Sequence, residues 1–233
     1  MDSFLLVGTI RGEGSLFYNS ATLISRKSEA TDSYDKFHLV PFGEYVPFEK
    51  HIPFFRGLID KPIGDFASGE ESKLLRINIE RKTESEASIR REVNFYKFGT
   101  LICFEDIFPE ISRNFVKQGA SFLVNMTNDA WFGKTSAPYQ HVQSSVFRAV
   151  ENRVPVVRAA NTGVSCFINQ YGKIFSVLRK DGTEIFVEGV DNARIFPSKK
   201  STIYTKYGDL FCYISIFLFF ILLLRQSLKS KKR

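Results

Sequence analysis

The stretch that decides the fold is Gly99–Glu110, GTLICFEDIFPE. Thr100–Cys103 is a short apolar run without helical alternation, as in a strand buried on both faces. Asp106 marks a helix start, and the chain continues in helical spacing to a stop at Gly119. A cysteine therefore sits where a core strand turns into a helix. Unpaired N–H groups at a helix start favour a nearby anion and lower a thiol's pKa. A strand end is also a rigid mount for a nucleophile. The plainer reading of Cys103 is a small buried core residue, and this stretch alone leaves both open.

The whole chain of 233 residues is long enough for one large domain with a full core. Its net charge is +7, but Arg225, Lys229, Lys231, Lys232 and Arg233 supply five of those charges with no acid among them, leaving +2 for the rest. The basic balance thus belongs to the tail and gives no nucleic-acid surface. Cys103, Cys166 and Cys212 form neither a metal spacing nor an even disulfide set. His38, His51 and His141 each read as a hydrogen-bonded structural residue rather than a metal ligand. The opening MDSFLLVGTI lacks the features of a signal peptide. It reads as a core strand, as though something preceded it.

Phe4–Ile10 and Phe17–Ser25 are strand candidates flanking the turn Arg11–Gly14, and Ser28–Asp35 reads as a polar loop. Tyr34–Lys50, YDKFHLVPFGEYVPFEK, cannot be a regular helix, because Pro41 and Pro47 each remove a donor and fix the backbone. An ordered irregular loop of that length is more often functional than filler. Phe54–Leu58 reads as a short helical turn and Asp60–Gly69 as loop. The charged Glu70–Glu92 is two strands, or a strand and a solvated excursion. Ser121–Asn125 is a buried strand running into MTNDAWFGK. Ser136–Arg153 is a helix with Val142, Val146, Phe147 and Val150 on one side. A strand follows just after Pro155, and VSCFINQYGKIFSVL is a hairpin turning at Gln170–Gly172. Strands alternating with helices over short connections predict an α/β layered sandwich.

Leu210–Leu224, LFCYISIFLFFILLL, is fifteen residues without a charge. It is apolar on all sides, which a soluble domain has no way to expose. Tyr204, Tyr207 and Tyr213 fall where an aromatic belt would lie, and Lys206 and Arg225 can snorkel. The run reads as a transmembrane helix although it is shorter than the usual span of about 20 residues. The basic residues after it place the C-terminus in the cytoplasm and the preceding domain on the other side. The expected organisation is a domain over 1–200, a linker over 201–209, the membrane helix over 210–224 and a basic tail over 225–233.

An acyl-transferring thiol needs a base, oxyanion donors and a shielded pocket. Lys36 can be one donor, with Glu44 near enough in the loop to orient its ammonium, and the backbone N–H of Phe104 a second. The bland alternative is a surface lysine and a solvated glutamate. The order YDKFHLVPFGEYVP, LICFEDIFP, NDAWFGK with PYQH, then ENRVPVVRAANTG resembles the nitrilase superfamily, and within it the apolipoprotein N-acyltransferase family. The resemblance covers essentially the entire chain. It implies an α/β/β/α nitrilase-like fold hung from membrane helices, facing the periplasm of a bacterial inner membrane. It further implies transfer of a fatty acyl group from a phospholipid to the free amine of the diacylglyceryl-cysteine of an apolipoprotein. The implied mechanism is ping-pong through a thioester, with no metal and no soluble cofactor. Residue by residue, the match carries the nucleophile onto Cys103, the catalytic lysine onto Lys36 and the supporting carboxylates onto Glu44 and Glu105. Phe104 stands where relatives often have Tyr. Tyr45, Asn128, Asp129 and Trp131 match segments that shape the substrate pocket.

The family's general base is a glutamate in a Pro-Glu context, on a strand before the segment where this chain begins. None of Asp2, Glu13, Glu29, Asp32 and Asp35, the acids before Lys36, has that context. The expectation is an N-terminally truncated or split acyltransferase, impaired alone and completed by a separately encoded N-terminal half. The competing readings are an inactive membrane-anchored remnant or partner-binding subunit, and a nitrilase-type amidase.

Overall fold

The computed structural model describes residues 3–47, 65–69, 73–85 and 88–230. The expected helical turn at Phe54–Leu58 lies outside them, as does His51. Strands β1 (Leu5–Glu13), β2 (Leu16–Ile24) and β3 (Ala30–Asp35) form an antiparallel sheet. β1 and β2 are joined across Gly14 and Ser15, and Gly14 takes the positive φ of 60° that a two-residue hairpin turn requires. β3 occupies the place expected to be a polar loop. It is an edge strand that buries only Tyr34 fully, so the sequence carries no apolar alternation to announce it.

The second sheet runs in the order β4 (Leu75–Ser85), β5 (Ser88–Ile102), β6 (Phe122–Asn128), β7 (Val156–Asn161), β8 (Cys166–Ile168), β9 (Ile174–Val177). β4 and β5 are a long antiparallel hairpin, which settles the charged region as two strands. β5, β6 and β7 are parallel, and β8 and β9 close the edge antiparallel about the turn Asn169–Gly172. The inner end of β5, from Phe98 to Ile102, is buried at every position, so both its faces are covered. Helix α1 (Pro109–Lys117) packs on β5 and helix α2 (Ala137–Asn152) on β7. The smaller sheet meets the larger where β2 lies against β5 and β3 against β4. Ala21, Leu23 and Tyr34 from the smaller sheet join Leu75, Leu101, Phe115, Leu123 and Val156 in one core. The architecture is an α/β sandwich of two sheets, with helices packed on the larger one, as the alternation of elements predicts.

In three places the elements carry detail beyond the expected pattern. Helix α1 starts at Pro109, a residue preorganised for a first helical turn, and not at Asp106. A short 3-10 helix, Cys103–Ile107, intervenes, and the Asp106 carboxylate is turned into the interior. On α2 the buried face carries His141, Val142, Ser145, Arg148, Ala149 and Asn152, while Phe147 is 60 % exposed. A polar cluster, described below, draws that face inward against the apolar pattern. Finally, residues 201–209, the expected linker, carry structure of their own. They contain the short helix α3 (Ile203–Tyr207), seated on α1 and α2. Arg113 of α1 donates to the carbonyls of Tyr204, Thr205 and Lys206, satisfying its last turn with a cation.

Helix α4 (Leu210–Ser230) covers the expected apolar segment. Its fifteen uncharged residues make about 22 Å of helix, against a hydrocarbon core of about 30 Å. Among the described residues no helix is long and apolar enough to cross a membrane.

Candidate active site

Cys103 stands at the end of β5, where the backbone leaves the extended region. Its φ is +54°, unusual for a residue with a Cβ and a source of local strain. The strand ends there because the 3-10 turn that follows folds Glu105 back beneath it. One oxygen of the Glu105 carboxylate accepts from the N–H of Ile102 at 2.7 Å. The other accepts from the N–H groups of Phe37 at 2.9 Å and His38 at 3.1 Å, and from the Tyr34 hydroxyl at 2.9 Å. A single buried carboxylate thus ties the residue before Cys103 to the residues on either side of Lys36. Burial pushes the Glu105 carboxyl above its ordinary value, while its donors and the Lys36 ammonium work in the opposite direction.

Lys36 is not a surface lysine. It is 1 % exposed, and its ammonium donates to both oxygens of Glu44 at 2.9 and 2.7 Å. Glu44 is held in turn by Asn19 Nδ2 at 2.9 Å and the N–H of Val40 at 2.8 Å. The loop makes this possible by a tight turn between Pro41 and Tyr45, with Phe42 at a φ of +64°. A buried ammonium needs such a partner, because an unpaired charge out of water is costly.

Beneath Cys103 lies a second constellation, whose charged members come one each from the quoted motifs but which no single motif assembles. His141 places Nε2 2.8 Å from Asp106 Oδ1 and Nδ1 2.8 Å from Asp129 Oδ1. Arg158 donates to Asp106 Oδ2 at 2.8 Å, to Asp129 Oδ2 at 3.1 Å and to Asn125 Oδ1 at 2.7 Å. Ser145 donates to Asp106 and Thr127 to Asp129. Burial works against the charge on His141, and the two aspartates outweigh it, holding the imidazole above its ordinary value. For Asp129 burial is likewise outweighed, by His141 and Arg158, and its carboxyl is held below the usual range. The other two thiols sit in unlike surroundings: burial pushes Cys166 up to about 11, and Cys212 is exposed on α4.

The carbon-nitrogen hydrolase family profile matches residues 1–200. The chain belongs to the carbon-nitrogen hydrolase family. An apolipoprotein N-acyltransferase of Geobacter metallireducens is 43 % identical over 205 residues, which are 88 % of this chain and 35 % of the relative. Apolipoprotein N-acyltransferase 1 of Treponema denticola is 38 % identical over 201 residues, 84 % of this chain and 34 % of the relative. The chain thus spans about a third of the length of these relatives. Among solved structures, an amidase from Nesterenkonia sp. is similar with a TM-score of 0.48 at 21 % identity, over 75 % of this chain and 56 % of that one.

Within this carbon-nitrogen hydrolase domain, the remaining sequence-selected residues fall into two groups. Asp129 is fully buried and committed to His141, Arg158 and Thr127, so it faces no open pocket. Gly163 permits this, since a Cβ there would collide with the Asp129 carboxylate. Asn128 and Trp131 are exposed, Trp131 by 66 %, and Tyr45 is half-buried. Asn128 accepts from the N–H of Ala130 and from Asn161, which shapes the turn bearing Trp131. Phe104 is half-buried, its ring edge-on to Phe108. His38 stacks on Phe108 at 3.8 Å, and among the described residues no group of three or more His, Cys, Asp or Glu side chains could hold a metal ion. Sequence reasoning missed Asp106 and Arg158. The one signal available was His141 and Ser145 a helical turn apart on α2.

Proposed function

We propose that this chain is the nucleophile-bearing part of an N-acyltransferase. It would move a fatty acyl group from a phospholipid to the N-terminal amine of a diacylglyceryl-cysteine on an apolipoprotein. The observation that carries the reading is the Glu105 carboxylate, shared between the backbone around Lys36 and the N–H that precedes Cys103. Membership in the carbon-nitrogen hydrolase family and relatives named for this activity support it.

In the first half-reaction the Cys103 sulfur adds to an ester carbonyl of the phospholipid. A C–S bond forms, the C–O bond breaks, and the thiol's proton leaves with the lysophospholipid alcohol. In the second, the acceptor amine displaces the sulfur, and one amine proton returns to it. The Lys36 ammonium and the N–H of Phe104 serve as oxyanion donors, with Glu44 fixing the ammonium. Trp131, Asn128 and Tyr45 border the acyl chain, and Asp129 supports that border from below. An amide is far more stable than a thioester, so the second step runs downhill.

In this proposal a general base carries the thiol proton to the leaving alcohol, an assistance worth roughly 10²–10⁴ in rate. Helix α4 is the membrane anchor. Ile216, Phe217, Leu218, Phe219 and Phe220 each stand more than half exposed, so no side of the helix is buried against the domain there. Its apolar run of about 22 Å is shorter than the hydrocarbon core, so the anchor needs Arg225 at its end to snorkel and the bilayer to thin around it. The domain then lies outside the cytoplasm and the basic tail within it. A lipid-anchored domain meets both substrates in two dimensions, raising their effective concentration.

The test is transfer from a radiolabelled phospholipid to the chain. A hydroxylamine-labile label, absent in Cys103→Ala, is expected. Labelling that persists in Cys103→Ala refutes the thioester.

A further inference from the structure

Asn125 lies on β6, fully buried, and neither of the half-reactions above gives it a task. Its amide joins two systems. Oδ1 accepts from Arg158 Nη1 at 2.7 Å, while Nδ2 donates to the carbonyl of Cys103 at 3.1 Å and to that of Leu101 at 3.4 Å. The orientation is forced. A guanidinium only donates and a carbonyl only accepts, so the amide presents oxygen to Arg158 and nitrogen to the strand end. Arg158 cannot drift, because Asp106 and Asp129 hold it from two sides and His141 bridges those carboxylates. At the far end stands Cys103 with its φ of +54°, a conformation that persists only when its surroundings over-determine it.

We propose that Asn125 is a positioning residue for Cys103: through the Cys103 carbonyl it fixes the turn that aims the thiol and the N–H of Phe104 at one carbonyl. Arg158 sets the amide's orientation, and the cluster of Asp106, Asp129 and His141 sets Arg158. The inference rests on the acyl-transfer reading of Cys103 and adds a residue that the reading does not require.

Two reactions of the same sulfur separate positioning from mere folding. Alkylation by iodoacetamide displaces iodide from carbon and builds no oxyanion, so it asks only for an accessible thiolate. Acylation by p-nitrophenyl decanoate builds an oxyanion before p-nitrophenolate leaves and needs the donor aligned. Both are run on the full chain in detergent at the same alkaline pH, so that they draw on one thiolate population. Alkylation at Cys103 is followed by peptide mass, and acylation by release of p-nitrophenolate.

In Asn125→Ala the acylation rate falls about ten- to a hundredfold while alkylation stays within about threefold of the unvaried chain. Asn125→Asp keeps the acceptor for Arg158 and loses the donor, so it shows the same split. Asn152→Ala removes a buried amide of α2 far from Cys103, and it leaves both rates within about threefold. Equal loss of both reactions in Asn125→Ala, undiminished acylation in Asn125→Asp, or an acylation loss as large in Asn152→Ala overturns the assignment. Failure of the acyl-transfer reading looks different: the unvaried chain is alkylated at Cys103 but never acylated there, and the inference falls with it.

Discussion

Replacing Glu105 by glutamine tests the joint between the Lys36 loop and the Cys103 strand without changing its shape. The amide oxygen can still face Tyr34, Phe37 and His38, so three of four bonds survive in neutral form. The new NH₂ group then meets the N–H of Ile102 at 2.7 Å, donor against donor. A hydrogen bond to a charged group contributes about 1.5–3 kcal/mol, and a buried N–H left without an acceptor costs about 1–3 kcal/mol. The side chain is fully buried, so water cannot step in. Both describe the one Ile102 bond and do not add, so the loss is about 2 kcal/mol. For a domain near 200 residues each kcal/mol moves Tm by about 2–4 °C, so a drop of roughly 4–8 °C is expected. Circular dichroism melts of the chain in mild detergent, paired with urea titrations at constant m, measure it. A drop below about 3 °C would mean the loop and the strand are not held through this carboxylate. The proposed site would then lose its frame.

His141 supplies a pH dependence. Its pKa is raised in the fold, so its contribution is fully present below the unfolded value near 6.5 and is lost as pH rises through the folded value. The urea midpoint should therefore fall as the pH rises above about 6.5, and His141→Asn should remove that part of the slope. An unchanged slope in the variant shows that the imidazole does not hold the proton. Gly99→Ala puts a Cβ into the ring of Phe115, costing about 1–3 kcal/mol by overpacking. Phe115→Leu in the same chain should recover part of the loss, which a double-mutant cycle on urea midpoints reads as coupling. Phe147→Ser should change stability by no more than about 0.5 kcal/mol, because the ring is 60 % exposed. A loss above about 2 kcal/mol would restore it to the packed face that its spacing suggested.

Much of the core sheet was written locally. Thr100–Cys103 is apolar without helical spacing, so it reads as a strand covered on both sides, and β5 is buried on both faces up to its end at Ile102. VPVVRAAN and the hairpin about Gln170–Gly172 were equally plain, since a proline's missing donor and a glycine turn act within a few residues. Lys36 and Cys103 could be chosen as partners from their motifs, but nothing local said what would join them. Asp106 shows the limit most clearly. As sequence it is a good helix start, and in the fold His141, Ser145 and Arg158 take its carboxylate and the helix begins later. The edge strand β3 and the docked helix α3 were hidden for a related reason. Each buries one principal side chain, Tyr34 or Thr205, and is fixed by partners distant in the chain. The sequence by itself determined where apolar runs and breakers fall, hence the elements and the thiol at a strand end. Only the tertiary structure decided that one buried carboxylate serves both Lys36 and Cys103, and that four elements pool their charges beneath them. Burial makes ionic and hydrogen-bonding partners obligatory, and which groups meet is a matter of folding geometry rather than of neighbouring residues.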